Sequence, residues 1–285
     1  MLTTASSVLW EANVTDFKIA SWNVNSVRLR APQIVDFLGA DAPDVLCLQE
    51  IKCRNGEFPG EVFTKAGYPH HMVRGQKGMH GVAIVSRHPI TEEDDPEFCQ
   101  HGHARMAMGT VNGVTICNVY IPAGGDEPDA KTNPKFAHKL NFLDRMKTFF
   151  TARKKANPKE KLVLTGDLNI APLESDVWSH KQLLKVVSHT PIEIEALKAV
   201  QDAGDFVDAA RELIPEPTPV FTWWSYRSKD WTKNNRGRRL DHIWVSPALR
   251  DAALHHGADG FSAHTACRSW ARPSDHIPIT QMLRL

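Results

Sequence analysis

Eight short apolar segments dominate the sequence and predict β-strands, because they are rich in Val, Ile and Leu and are bounded by Gly, Pro, Asn or Asp. Several neighbouring segments have no helix between them, which argues against a simple doubly wound parallel sheet. The sequence Val111-Asn-Gly-Val114 predicts a hairpin, since Asn-Gly suits the left-handed backbone of a type I′ turn. The predicted strands are Phe17–Val24, Val45–Gln49, Gly81–Ser86, Arg105–Val111, Val114–Ile121, Leu162–Leu168, Leu240–Val245 and Ile277–Leu283.

Helical patterns are fewer than strand patterns. The predicted helices span about residues 32–39, 135–156, 178–187 and 191–203. The second has one apolar stripe at three- and four-residue steps, formed by Phe136, Leu140, Leu143, Met146 and Phe150. The fourth begins with the capping box Thr190-Pro-Ile-Glu193. These patterns together predict an α+β protein in which helices lie outside two mixed sheets.

Composition sets broad limits on function. The chain has 285 residues, of which 42% are hydrophobic and 24% charged, as expected of a soluble globular protein. We expect a poorly patterned tail at residues 1–16 and a single domain at 17–285. No secretory signal and no apolar run of about 18 residues is visible, so a cytoplasmic protein without a membrane span is predicted. The net charge of +1 is weak evidence against a protein that binds polyanions over its whole surface, but it does not exclude a local basic patch.

The five cysteines predict reduced thiols. Their number is odd, and no pair has the C-x-x-C spacing of a redox or zinc motif. Two of them, Cys47 and Cys117, lie inside apolar strand segments. We therefore expect thiols in a reducing compartment, with neither a disulfide framework nor a zinc site.

Polar residues stand at the ends of the apolar strands, where isolated burial would be unfavourable. Any one of them alone is explained by the capping of a turn. Together they predict a single rim of carboxylates, amides and one imidazole, because strand ends in layered sheets converge. Asn23 and Asn25 follow one strand with the same period-two spacing as Asp167 and Asn169 after another, which suggests two related halves facing one cleft. The full set is Asn23, Glu50, Asp167, Asn169, Asp241, Asp275 and His276.

The donor atoms in this set indicate the chemistry. Carboxylate and amide oxygens suit a hard cation such as Mg²⁺ or Mn²⁺. A hard cation beside Asp and His suits hydrolysis of a phosphoester, because the cation neutralises phosphate charge and a carboxylate or imidazole deprotonates or orients water.

Seven motifs follow one another along the chain. They are Ile19-Ala-Ser-Trp-Asn-Val-Asn25, Leu48-Gln-Glu-Ile-Lys52, Asn118-Val-Tyr-Ile-Pro122, Gly166-Asp-Leu-Asn-Ile170, Phe221-Thr-Trp-Trp-Ser-Tyr-Arg227, Arg239-Leu-Asp-His242 and Pro273-Ser-Asp-His-Ile-Pro278. In this order they resemble the motifs of the exonuclease III family within the endonuclease/exonuclease/phosphatase superfamily. Single motifs are weak, but seven in sequence are specific, and the resemblance extends from about residue 17 to the end of the chain.

The resemblance implies a four-layer αββα sandwich and a Mg²⁺ (or Mn²⁺) site. Glu50 resembles the family's main metal ligand, with Asn23 and Asp275 nearby and Asn25 as a weaker candidate. A second metal at Asp167, Asn169 and His276 is left open.

The resemblance also implies catalytic roles. Asp167 is similar to the residue that activates the attacking water, and Asn169 to its neighbour that holds the phosphate or the transition state. Tyr120 resembles the active-site tyrosine that contacts the phosphate or assists the leaving group. His276 resembles the phosphate-contacting histidine or general base, which Asp241 orients; an ionised Asp241 would also raise the basicity of His276.

Segment 221–239 favours DNA over other phosphoesters, because cations interleaved with aromatics suit a nucleic-acid backbone and an exposed base or sugar. A solvated loop with core tryptophans is the alternative. The segment contains Trp223, Trp224, Tyr226, Trp231, Arg227, Lys229, Lys233, Arg236, Arg238 and Arg239. The predicted DNA-binding residues are Trp223, Trp224, Arg227, Arg238, Lys52 and Asn25. Further basic residues that could extend the surface are Arg54, Arg74, Lys77 and Arg105.

Two departures from the family pattern bear on the lesion that is recognised. Ala123 stands where the family usually carries Asn or Gln, which removes a polar phosphate contact. Arg238 stands where a Leu or Trp often packs on an abasic sugar, so an arginine there lies across the sugar or narrows the pocket. Both leave phosphodiester hydrolysis intact and put the preference for abasic sites in question.

The expected function is therefore a DNA-repair phosphodiesterase with 3′→5′ exonuclease activity, with cleavage 5′ to abasic sites, or with both. We expect a monomer that acts on double-stranded and abasic-site DNA. One alternative is a hydrolase of lipid head groups or soluble phosphates on the same core. The other is a non-catalytic DNA-binding protein with a decayed site.

Overall fold

The computed structural model describes residues 15–94, 96–227 and 230–285, and two six-stranded sheets dominate it. The strands of these residues are β1 (Asp16–Asn23), β2 (Val45–Gln49), β3 (His70–Arg74), β4 (Val82–Ser86), β5 (Thr91–Glu92), β6 (Met106–Val111), β7 (Val114–Tyr120), β8 (Leu162–Asp167), β9 (Val207–Asp208), β10 (Trp223–Trp224), β11 (Gly237–Arg238), β12 (Asp241–Val245), β13 (Phe261–Ala263) and β14 (Ile279–Arg284). The α-helices are α1 (Val27–Asp41), α2 (Gly60–Lys65), α3 (Pro134–Ala156), α4 (His180–Leu183), α5 (Pro191–Gly204), α6 (Ala209–Leu213), α7 (Trp231–Asn234) and α8 (Arg250–Leu254). Short 3-10 helices span Asn55–Glu57, Glu174–Asp176, Pro247–Leu249, Gly257–Gly260 and Thr265–Ser269.

The two large sheets share one plan. The first has the order β13-β14-β1-β2-β4-β3, and the second has the order β5-β6-β7-β8-β12-β9. Each has one parallel pair at its centre, β1 with β2 and β7 with β8, and antiparallel pairs on both sides. The predicted relation between two similar halves therefore has a structural counterpart in the sheets.

The apolar side chains separate into three layers of core. One cluster, which includes Ile19, Cys47 and Ile116, fills the space between the sheets. A second packs α3 and α5 against the outer face of the second sheet, and a third packs α1 and α2 against the first. This arrangement confirms the predicted α+β class and the four-layer sandwich of two mixed sheets flanked by helices.

Local predictions succeed where a specific residue fixes the backbone. Asn112 and Gly113 have φ values of +49° and +75°, and Val111 pairs with Val114, so the type I′ hairpin is confirmed. At the start of α5, Glu193 Oε1 accepts hydrogen bonds from the backbone N and the Oγ1 of Thr190, at 2.9 and 2.8 Å. The predicted capping box is therefore also confirmed.

Two helix predictions need correction. The first helix begins at Val27 rather than at residue 32, and Pro32 lies inside it. The helix predicted at 178–187 is only the four-residue α4, because the chain turns immediately after it and reaches Ser188 with φ of +87°. Residues that follow α4 line the cavity described below, so this segment serves the site instead of extending a helix.

One edge of the sandwich collects the ends of the central strands. In the backbone register, Tyr120 at the end of β7 lies opposite Asp167 at the end of β8, and Asp241 at the start of β12 also pairs with Asp167. Beneath this edge, Gln49 Nε2 donates to Asn118 Oδ1 at 2.7 Å, which joins the two sheets. Because the polar ends of both sheets are tied together here, the functional side chains are held by the framework and not by a free loop.

None of the helices in the described residues has both the length and the apolar character that crossing a membrane requires.

Candidate active site

A cavity of about 580 Å³ opens at this edge between the two sheets. It brings together side chains from parts of the chain more than 200 residues apart, including Glu50 and Asp275, whose proximity the sequence analysis required. Its polar lining residues include Glu50, Tyr120, Asp126, Asp167, Asn169, Asp275 and His276, and its cationic and aromatic wall consists of Trp178, Trp223, Arg227, Arg236 and Arg238.

Glu50 is held in the cavity by contacts to both of its carboxylate oxygens. Its Oε1 accepts hydrogen bonds from Asn23 Nδ2 and the Tyr120 hydroxyl, both at 2.9 Å, and its Oε2 lies 2.8 Å from Lys52 Nζ. Burial opposes ionisation of Glu50, but the Lys52 ammonium and the Asn23 amide outweigh it and lower the pKa. Glu50 is therefore a carboxylate at neutral pH, as a metal ligand must be.

Asp275 faces the same cavity from the segment before β14. Its Oδ1 accepts from Asn25 Nδ2 at 3.2 Å and its Oδ2 from Trp223 Nε1 at 3.0 Å. Asn25 also contacts Lys52 through its Oδ1. Asn25 thus links the Asp275 carboxylate to the lysine that neutralises Glu50, a contact that fits either of its predicted roles.

Asp167, His276 and Asp241 form a buried chain of acid, imidazole and acid. His276 Nδ1 donates to Asp241 Oδ2 at 2.8 Å, and His276 Nε2 lies 3.6 Å from Asp167 Oδ2. Asp241 is itself held by the Thr222 hydroxyl, at 2.6 Å from Oδ2. Asp241 therefore contacts the ring of His276, and the roles that the resemblance implies for the two residues stay predictions.

The two groups facing each other in this chain have displaced pKa values. Burial raises the pKa of Asp167 to about 7, and the Asp241 charge adds to the rise while His276 opposes it. Burial alone would lower the pKa of His276, but the carboxylates of Asp241 and Asp167 outweigh it and raise the pKa to about 10. Near neutral pH the site therefore holds an imidazolium beside a carboxyl group that is partly protonated.

Asn23 and Asn169 hold Asp167 in place. Asn169, at φ of +53°, donates its backbone N–H to Asp167 Oδ1 at 2.9 Å and its side-chain amide to Ile121 O at 2.9 Å. Asn23 Nδ2 bridges Asp167 Oδ2 and Glu50, both at 2.9 Å, while its Oδ1 accepts the backbone N–H of Asn25. Asn23 therefore presents its N–H₂ group, not its oxygen, to both carboxylates, and its predicted metal contact stays a prediction.

Tyr120 reaches the cavity with its ring fixed from behind. The Arg105 guanidinium carbon lies 4.7 Å from the centre of the ring, and Arg105 Nη1 donates to Tyr120 O at 3.1 Å. Burial, together with the Glu50 and Asp167 charges, raises the pKa of Tyr120 well above its ordinary value. Tyr120 is consequently a neutral hydroxyl that donates a hydrogen bond to Glu50.

The oxygen donors of this cavity fit a hard divalent cation. Glu50 and Asp275 offer carboxylate oxygens beside the amide groups of Asn23 and Asn25, without a thiolate among them. Asp167, Asp241 and His276 form a second group, whose potential ligand atoms all lie within 4.8 Å of one another. The residues present therefore suit Mg²⁺ or Mn²⁺ better than a metal that prefers sulfur ligands.

One wall of the cavity is cationic and aromatic. Arg238 lies over the Trp223 ring, 5.3 Å from its centre, and donates to Val187 O at 3.1 Å and Ser188 Oγ at 2.6 Å. The exposed Arg236 lies over Trp178 at 4.5 Å. Such paired cations and rings are suited to a phosphate backbone with an adjacent sugar or base.

Three predicted members of the DNA-contacting surface are instead buried. Trp224 is only 3% exposed, donates to Asn235 Oδ1 and packs on Trp231, so it supports the wall and does not face a ligand. Arg239 is enclosed between the carboxylates of Asp176 and Asp208. Arg105 is buried against Tyr120. The sequence pattern could not predict this burial, because it shows which residues are cationic or aromatic but not which side chains face inward. Lys229, another cation of segment 221–239, lies outside the described residues.

Lys139 is a residue of the site that the sequence reasoning missed. It is fully buried in α3, and its ammonium pairs with Glu193 and donates to Asn169 O at 2.8 Å and Ala123 O at 3.4 Å. It therefore supports the backbone of both loops that form the cavity floor. A signal was available: Lys139 lies three residues after Phe136, within the apolar stripe, where a lone cation is unexpected.

Comparison with known proteins gives a consistent result. Residues 20–276 match the model of the endonuclease/exonuclease/phosphatase family. The exodeoxyribonuclease III of Haemophilus influenzae is 30% identical over 275 residues, which cover 92% of this chain and 98% of that protein. The DNA repair nuclease APEX1 of Danio rerio is 29% identical over 96% of this chain and 84% of its own length.

Solved structures agree in fold. A variant of the Neisseria 3′ phosphatase NExo, bound to a product DNA hairpin, superposes with a TM-score of 0.85 at 32% identity and covers 94% of this chain and 100% of its own. An AP endonuclease from Archaeoglobus fulgidus superposes with a TM-score of 0.82 at 30% identity, over 94% of this chain and 99% of that one.

Proposed function

The chain belongs to the endonuclease/exonuclease/phosphatase family, and from this premise we propose that it is a divalent-metal-dependent DNA nuclease of base-excision repair. Its activities are removal of nucleotides from 3′ ends, incision 5′ to abasic sites, or both, each leaving a 3′-hydroxyl. The observation that carries the proposal is the convergence of Glu50, Asp167, Asp275 and His276 in one cavity walled by arginines and tryptophans.

Asp167 is the residue proposed to accept a proton from the attacking water. Its pKa, raised by burial to about 7, is matched to neutral pH, where a general base is most effective. The Asn169 backbone N–H and the Asn23 amide fix its two oxygens, so the carboxylate is already oriented before a substrate enters. Asn169 is also proposed to bind a phosphate group at the mouth of the cavity.

His276 and Tyr120 are proposed to donate to the phosphate and the leaving oxygen. Asp241 holds Nδ1 of His276, which leaves the protonated Nε2 to face Asp167 and the cavity. Tyr120 carries its proton at neutral pH and points its hydroxyl at Glu50. Preorganised donors of this kind stabilise the charge that develops on a phosphate during in-line attack.

A Mg²⁺ or Mn²⁺ ion held by Glu50 and Asp275, with Asn23 or Asn25 beside them, would neutralise phosphate charge and orient the scissile bond. The same two carboxylates without a cation would repel a phosphodiester. This local repulsion supports the proposed dependence on a divalent cation.

DNA is the substrate that the wall of the cavity favours. Arg227, Arg236 and Arg238 supply cations for phosphate groups, and Trp178 and Trp223 supply aromatic rings. The relatives named above are DNA enzymes, whereas no described feature of the cavity favours lipid head groups or soluble phosphates. Double-stranded DNA, including abasic-site DNA, is therefore the proposed partner of a monomeric, cytoplasmic enzyme.

The test is incubation of the protein with a duplex that carries one internal abasic-site analogue, with Mg²⁺ or with EDTA. The proposal predicts cleavage with Mg²⁺ only. A single cut at the lesion identifies abasic-site incision, and a ladder from the 3′ end identifies exonuclease activity. If neither product forms and the protein instead releases phosphate from an inositol phosphate, the assignment to DNA is overturned.

A further inference from the structure

A group of histidines with one cysteine lies behind Tyr120, outside the proposed active site. Cys99, His101 and His103 come from the segment before β6, and His138 comes from α3; these four residues are called the histidine cluster below. A fourth imidazole, His80, stacks on His103 with ring centres 4.6 Å apart. The proposed nuclease mechanism uses none of these five side chains.

The ring centres of the cluster are spaced like those of imidazoles that share one ion. The ring centres of His101, His103 and His138 are 4.4, 5.6 and 5.9 Å apart in pairs. With a Zn–N bond of about 2.0–2.1 Å, two imidazoles on one tetrahedral ion have ring centres about 5 Å apart. Cys99 Sγ is 3.2 Å from His138 Nε2, close to the S···N separation of about 3.5 Å that the same geometry gives.

The protonation of the cluster suits metal binding. Burial lowers the pKa of His138 to about 4 and also lowers that of His103, with the positive charge of Arg105 adding to the effect in both. His103 and His138 are therefore neutral at pH 7, as imidazole ligands must be. In addition, the buried Nδ1 of His103 has no hydrogen-bond partner in the structure, which is unusual for a buried ring nitrogen.

An ion has a way into the cluster. A cavity of about 500 Å³, separate from the proposed active site, is lined by Cys99, His103 and Arg105 among others. His101 is exposed whereas His138, near the start of α3, is buried, so the cluster extends from the protein surface into the interior.

We propose that Cys99, His101, His103 and His138 form a second metal site, which takes Zn²⁺ or a similar transition-metal ion. One thiolate and three imidazoles are a donor set for such an ion and not for Mg²⁺. The sequence spacing of the cysteines gave no sign of it, because three of the four ligands are histidines and one of them comes from a distant helix.

Ion binding in this site requires a small rearrangement of side chains. Among the described residues, only Asp167, Asp241 and His276 already hold their donor atoms within 4.8 Å of one another. The donor atoms of the histidine cluster do not meet this distance, so its side chains must turn about their side-chain bonds to face one centre.

The bound ion would brace the tyrosine of the active site. It would tie the segment at 99–103 to α3, and Arg105 follows directly and packs on the Tyr120 ring. The ion thus has a structural role, in which it limits movement of Arg105 and does not contact the substrate.

The test is titration of the full-length, reduced protein with Co²⁺, a spectroscopic substitute for Zn²⁺, in the presence of excess Mg²⁺ to occupy oxygen ligands. The proposal predicts one Co²⁺ per chain with an intense near-ultraviolet band from thiolate-to-cobalt charge transfer, displaced by one equivalent of Zn²⁺. An oxygen-ligated ion in the proposed active site cannot produce that band, so the result is independent of nuclease activity.

Two variants decide whether the band arises from this cluster. Cys99→Ser, which preserves size and polarity, should lose the band while keeping the wild-type circular dichroism, and it should lose any rise in Tm that Zn²⁺ gives the wild type. His255→Gln, a change at an exposed histidine elsewhere, should leave both unchanged. Absence of the band in the wild type, or its persistence in Cys99→Ser, would overturn the proposal.

Discussion

Replacement of Lys139 by Met tests whether a buried ion pair positions the catalytic loop. The Lys139 ammonium is enclosed and holds Glu193, Asn169 O and Ala123 O. Removing it leaves the buried Glu193 carboxylate without its counter-charge, a change that typically destabilises a protein by about 3–5 kcal/mol. Since a domain has only about 5–15 kcal/mol in total, Lys139→Met alone is expected to lower stability severely.

A second substitution separates stability from positioning. Glu193→Gln removes the charge but keeps the oxygen that accepts from Thr190 at the start of α5. The double variant Lys139→Met, Glu193→Gln should therefore recover most of the lost stability, because neutral replacement of a buried pair is often close to neutral. It still lacks the donor to Asn169 O, whose loss is worth about 0.5–1.5 kcal/mol, or up to about tenfold in rate.

The assay compares urea unfolding with single-turnover cleavage of one DNA duplex. The double variant should have near-wild-type stability, unchanged DNA affinity because Lys139 is remote from solvent, and a single-turnover rate constant lowered by up to about tenfold. Full recovery of both stability and this rate constant would refute the reasoning and leave Lys139 with a purely structural role. Loss of affinity with an unchanged rate constant would place the effect in the binding of DNA.

Three further predictions concern the wall of the cavity and the core beside it. Arg236→Ala should reduce the slope of log affinity against log salt by about one, since one phosphate contact is lost, while Arg250→Ala at the opposite end of β12 should leave the slope unchanged. Arg238→Ala should uncover the Trp223 ring and raise incision at an abasic analogue relative to digestion from the 3′ end; an unchanged ratio would show that Arg238 does not set the preference. Burial lowers the pKa of His242 to about 4 from an ordinary value of 6.5. Between these two pH values His242 is protonated in the unfolded chain but not in the native protein, so the free energy of unfolding decreases as the pH falls. Native stability should drop by about 3 kcal/mol between pH 6.5 and pH 4 from this group, and His242→Gln should remove that part of the acid dependence in urea titrations.

The fold could be predicted from sequence wherever the pattern is local. All eight predicted strands occur, with bounds shifted by at most two residues, because their apolar runs and flanking turn residues are distinct. Short strands such as β3 (His70–Arg74) and β13 (Phe261–Ala263) were missed. The β3 run begins with two histidines, and β13 is three residues long, so neither carries an apolar run that would reveal it.

The membership of the site could be predicted, but not its contacts. Glu50 and Asp275 stand at strand ends, and convergence of such ends on one edge follows from layered sheets. The sequence cannot show that Asn23 turns its amide nitrogen to Glu50, since that depends on the neighbouring Asn25 N–H. Nor can it separate Trp223, which lines the cavity, from the adjacent Trp224, which is buried behind it, because alternation along a strand needs a known inner face.

The most direct test of the proposed mechanism is single-turnover cleavage by Asp167→Asn, measured together with its affinity for the same duplex in Mg²⁺. Asn keeps the oxygen that accepts the Asn169 N–H but cannot take a proton, so cleavage should slow by about 10²–10⁴-fold while DNA remains bound. The control is Asp126→Asn, which makes the same chemical change at another carboxylate that lines the same cavity. This variant should cleave at close to the wild-type rate. Near-wild-type cleavage by Asp167→Asn would contradict the claim that this carboxylate activates the water.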